Sequence, residues 1–187
     1  MNPVLGRYPT GSSDNLGPPV VLAAVSDSPL AVPVARWAGQ IAHATDGEVV
    51  VFAAVAIPPD IRGMAGMGWI KQAEWAEQEA AAIAALVRPV LDELGVRYRV
   101  GARACRTWRG RWAQARQVAG ALLRAARDVG ADLVVIAHRP ERRTVRSSVA
   151  ARVLRNSPLD VLVVPLGLPG EEAAEPRRAA TLERRAL

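Results

Sequence analysis

Apolar residues fall along this chain in two rhythms, short runs or strict alternation in some stretches and helical spacing in those between. Val20–Val25 (VVLAAV), Glu48–Ala56 and Leu133–Ala137 are short, Val-rich apolar runs, the pattern of strands buried on both faces of a parallel sheet. Val161–Val164 is a further run of this kind. Val96–Ala104 differs, because Val96, Tyr98, Val100, Ala102 and Ala104 share one face while Arg97, Arg99 and Arg103 lie on the other. Charge on one side of a period-two pattern predicts a half-exposed strand at a sheet edge.

The spacing between these runs predicts helices. The first, about Pro29–Ala44, turns Val34, Trp37, Ala38 and Ile41 inward, with Ser28 as N-cap, Pro29 at the first helical position and Asp46-Gly47 as its end. Ile70–Leu94 has Ile83, Leu86, Val87, Val90 and Leu94 on one face, and Pro89 is expected to kink or divide it. The next, about Ala113–Val129, buries Val118, Leu122, Ala125 and Val129, and Gly130 closes it. Val149, Val153 and Leu154 mark the last, stopped by Asn156-Ser157-Pro158.

Strands alternating with helices predict an open five-stranded parallel sheet with helices on both faces, a doubly wound, nucleotide-binding-like α/β fold. The charged edge of the third strand favours the order 3-2-1-4-5, which reverses between the first and fourth strands. The loops at Ser26–Pro29 and Ala137–Ser148 then face each other at the carboxyl edge of the sheet, where such folds bind ligands. Ile57–Trp69, with three glycines and two methionines, reads equally as a lid or as a slack connection. Residues 1–19 and 167–187 lack apolar periodicity and are expected to be disordered tails flanking one domain, 20–166.

Composition narrows the chemistry. At 187 residues the chain can bury a full core, and although half of it is hydrophobic, no apolar run is long enough to span a bilayer. A basic segment followed by an apolar one is not seen at the start, so neither secretion nor a membrane is expected. A single cysteine, Cys105, excludes an internal disulfide and fits a reducing cytoplasm; with only His43 and His138 beside it, no metal site is expected. The net charge of +6 is carried almost wholly by arginine, Lys71 being the sole lysine, and guanidinium forks suit anionic ligands.

Three segments, VVLAAVSDS at Val20–Ser28, GADLVVIAHRP at Gly130–Pro140 and SSVAARVLRNSPLDVLVVP at Ser147–Pro165, together resemble the universal stress proteins. The resemblance covers about Val20–Leu166 and implies a cytoplasmic stress-response protein that is not a dedicated enzyme and pairs as a homodimer through its last strand, Val161, Leu162, Val163 and Val164. It also implies ATP as the cofactor to test, through the pattern G-x2-G-x9-G-[ST], with nucleotide-contact candidates at Ser26, Asp27, Ser28, Val55, Ala137, His138, Arg139, Pro140, Ser147, Ser148 and Val149. Here the pattern's glycines fall on Ala137, Pro140 and Ser147, with Ser148 as the hydroxyl. Pro140 has no N–H to offer a phosphate, its separation from Ser147 is three residues short of the pattern, and Ser26 stands where an Asp is usual. The expectation is a binding or signalling module with weak or no ATP binding. The alternative is an ATP-dependent switch with slow hydrolysis.

Around Ser147-Ser148 sit Arg139, Arg142, Arg143 and Arg146, and the loop after the third strand adds Arg106, Arg109 and Arg111. This predicts a basic rim for an anion, a nucleic acid or an acidic protein partner. A solvated face of arginines paired with acidic helices is the competing reading. Trp108 and Trp112 beside Arg109 and Arg111 suit either base stacking or core cover, and the latter is favoured.

Overall fold

The computed structural model describes residues 17–26, 30–56, 68–105, 111–138 and 148–165. Strands β1 (Val20–Val25), β2 (Glu48–Ala56), β3 (Arg97–Cys105), β4 (Leu133–His138) and β5 (Asp160–Pro165) alternate with helices α1 (Ala31–Ala44), α2 (Gly68–Glu93), α3 (Arg111–Asp128) and α4 (Val149–Asn156). The sheet is wholly parallel in the order β3-β2-β1-β4-β5, as the edge charge of β3 predicts.

Because side chains alternate across a strand, the sheet carries two separate cores. On one face Val21, Ala23, Val49, Val51, Val135 and Val164 pack beneath α1 and α2. On the other, Leu22, Ala24, Val50, Phe52, Val134 and Ile136 pack beneath α3 and α4. Alanines at 31, 35, 38 and 42 let α1 lie close on the sheet, and Gly39 meets α2 so tightly that a Cβ there would come within 2.6 Å of Leu94 Cδ1. Gly130 closes the turn after α3 with φ +65°, the backbone state for which glycine is suited.

Four expectations are corrected. Trp37 is half exposed, because the buried stripe of α1 belongs to the small residues and Val34. Leu86 on α2 and Leu154 on α4 also face solvent, while Leu91, one turn after Val87, takes the buried place. Helix α1 begins at Ala31 with Leu30 at its N-cap and no side-chain cap bond; Ser28 and Pro29 lie outside the described residues. Helix α2 runs undivided through Pro89. Proline there frees the carbonyl of Ala85, and since both residues are exposed, water can satisfy it. Of the expected tails only residues 17–19 are described, and there the carbonyl of Pro19 accepts from Glu48 N–H at 2.8 Å; residues 57–67 of the stretch at 57–69 also fall outside the described residues.

Candidate functional site

The reversal of winding lies between β1 and β4, which pair directly from Val21↔Leu133 to Ala24↔Ile136. Their carboxyl ends bring exposed Ser26 beside half-buried Ala137 and His138. Val55 sits on the same edge at the end of β2, buried in the core beneath α1 and α2. Helix α4 starts at this edge, and Ser148 is its N-cap, extended at φ −69° and ψ 155°, with Oγ accepting a bond from Ala151 N–H at 3.1 Å. The cap explains why the helix begins there, since a hydroxyl oxygen replaces the missing carbonyl of an earlier turn. Val149 follows, packed at the margin of the α3–α4 core.

The structure thus gathers Ser26, Val55, Ala137, His138, Ser148 and Val149 at one edge of the sheet. Asp27, Ser28, Arg139, Pro140 and Ser147 of the expected nucleotide set lie outside the described residues, as do Arg106, Arg109, Arg142, Arg143 and Arg146 of the rim. Among the described residues, no cluster of His, Cys, Asp and Glu could hold a metal ion, and no helix is long and apolar enough to cross a membrane.

Cys105 ends β3 on this edge and is buried. Burial pushes its thiol above the ordinary 9.0, opposed by the guanidinium charges of Arg103 and Arg124, and the thiol donates to the carbonyl of Arg103 at 3.7 Å. The neutral form is therefore favoured in the folded chain, so the associated stability is complete below the ordinary value and is lost as pH climbs through the raised one. Denaturation of the wild type and Cys105→Ala at about pH 8 and about pH 10 checks this: the wild type should lose stability relative to the variant at the higher pH. The role of Arg124 was not visible in sequence, because only the fold sets α3 beside β3.

A profile of the universal stress protein family matches residues 19–165. A search of curated proteins finds no match. Among solved structures, a protein of that family from Burkholderia pseudomallei is 22% identical, over 80% of this chain and 97% of its own, with a TM-score of 0.52. Hypothetical protein MJ0577, whose structure served to assign a biochemical function, is 14% identical over 81% of this chain and 98% of its own, with a TM-score of 0.56. A universal stress protein crystallised with cAMP is 20% identical over 79% and 96% respectively, with a TM-score of 0.48. At these identities the structural likeness is one of fold.

Proposed function

The chain belongs to the universal stress protein family, and on that premise we propose that it is a stress-response binding or signalling module that binds ATP weakly or not at all. One observation carries the reading: where the family pattern has its second glycine, this chain has Pro140, which lacks the N–H that would hold a phosphate. The next glycine is replaced by Ser147, reached in a shortened loop, and Ser26 holds the usual place of an Asp. A dedicated enzymatic activity is not part of the proposal, and the lone cysteine favours a reducing compartment such as the cytoplasm.

The N-cap position of Ser148 at the carboxyl edge supports a second reading, a nucleotide switch with slow hydrolysis that uses Ser26, Asp27, Ser147 and Ser148. The arginines of the rim support a third, capture of a phosphate-bearing or acidic partner. A crystal grown with magnesium-ATP separates the first two. The proposal expects no triphosphate seated against Ala137 and Ser148, and adenine nucleotide in that position would replace it with the switch.

A homodimer through β5 completes the proposal. Each outer strand of the sheet has one edge without a strand partner among the described residues, but the two are unlike. Strand β3 carries Arg97, Arg99 and Arg103, the kind of residues that repel a second edge, whereas β5 presents Val161, Leu162 and Val163 half-buried between Asp160 and Pro165.

A further inference from the structure

Strand β3 turns Tyr98, Val100, Ala102 and Ala104 toward the core beneath α1 and α2, and so turns Arg97, Arg99, Gly101, Arg103 and Cys105 to the other face. The core on that other face takes its strand residues from β1, β2, β4 and β5 and none from β3. The arginines of that face therefore lie outside the apolar packing, while Gly101 and Cys105 on the same face are buried. Arg97 is exposed, and Arg99 and Arg103 are half-buried. At about 3.3 Å per residue, Arg97 to Arg103 spans about 20 Å in a straight line.

Helix α3 supplies the opposite wall. Arg124 is exposed and folds back along its helix, its Nη1 3.7 Å from the place a Cβ on Gly120 would take. This helix packs on β3 as well as on β2, and the charges of Arg124 and Arg103 both act on the Cys105 thiol. Glu48 pairs with Arg99, and Arg97 donates to the carbonyl of Asp46 at 3.4 Å. Neither Arg103 nor Arg124 forms an ion pair among the described residues. Gln117, seven residues before Arg124 and on the same helix flank, keeps its amide oxygen out of solvent with no hydrogen-bond partner among them.

We propose that this strip, Arg97, Arg99, Arg103 and Arg124 between β3 and α3, binds the phosphate backbone of a nucleic-acid duplex without regard to sequence. Guanidinium forks in a row match successive phosphates, and cations that have no ion pair among the described residues are stabilised by a bound anion. The strip is a straight row of guanidiniums, which suits the regular phosphate spacing of a duplex, and among the described residues it offers no large apolar anchor of the kind on which protein interfaces depend. Its length corresponds to about six base pairs at about 3.4 Å each. The inference stands apart from the switch-point reading, since ATP could bind or fail to bind at β1 and β4 without touching β3.

Fluorescence anisotropy with a labelled mixed-sequence DNA duplex of about 20 base pairs tests it. With three or four phosphate contacts, affinity should fall about 40- to 150-fold between about 50 and 200 mM salt. Arg103→Gln with Arg124→Gln should weaken binding by about tenfold or more and flatten the salt slope by about two contacts. Arg36→Gln with Arg88→Gln removes the same charge from α1 and α2, on the opposite face of the sheet, and should change little; denaturation curves confirm that both variants fold. Absence of binding at about 50 mM salt would overturn the proposal, as would equal loss in both pairs. Tighter binding of poly-glutamate than of the duplex would overturn it in favour of an acidic protein partner.

Discussion

Phe52→Ala is expected to remove about 3–5 kcal/mol of folding stability, a large part of what a domain of this size holds. Phe52 is the chain's only phenylalanine, 1% exposed on β2 and packed beneath α3. The strand is held between β1 and β3 along its length, so the backbone cannot close on the space left. Neighbouring side chains give little relief, because Gly101 lies across from it on β3 and offers no side chain to move in. Lost transfer energy and a retained cavity therefore add. Phe52→Leu, which keeps much of the volume, should cost about 1–2 kcal/mol by the same denaturant extrapolation. Equal costs for the two variants would show that the α3 face is not tightly packed.

Leu162→Lys is expected to convert the proposed homodimer to a monomer. Leu162 is half-buried on the α1 side of β5, while α4 packs on this strand from the opposite side. The long lysine stem can lie over the same sheet surface with its ammonium in water, so the fold should survive. In a twofold antiparallel pairing the substitution acts on both copies. It removes about 1 kcal/mol of leucine burial from each and sets two like charges near one another, for about 2–3 kcal/mol or about 30- to 150-fold in dissociation constant. Sedimentation velocity across a concentration series reads the shift. Leu154→Ser, which changes an exposed leucine on α4, should leave it unaltered. A wild-type chain that sediments as a monomer at micromolar concentration would remove the dimer.

The strand pattern was legible because it is written in period and charge. Three arginines alternating with apolar residues mark β3 as an edge in the sequence alone, and Val-rich runs mark the strands inside the sheet. Helix faces were less so. Trp37, Leu86 and Leu154 look inward by hydrophobicity, yet α1 approaches the sheet through Ala31, Ala35, Ala38 and Ala42, and the buried stripe of α2 runs through Ile83, Val87 and Leu91. The effect of Pro89 also depends on burial, since the carbonyl it frees faces water. At the site, strand ends and the Ser148 cap follow from the fold, and Arg124 beside Cys105 follows only from how α3 crosses β3. The remaining site candidates lie outside the described residues, and for them the sequence supplies residue type alone.

The claim on which the functional reading rests is that a chain with Pro140 where the family pattern has a glycine holds a triphosphate poorly. Titration calorimetry of the wild type with magnesium-ATP measures it directly. A dissociation constant of about 1 mM or weaker, hardly altered by Ser148→Ala, is the predicted result. A constant of about 1 μM that collapses in Ser148→Ala would contradict it.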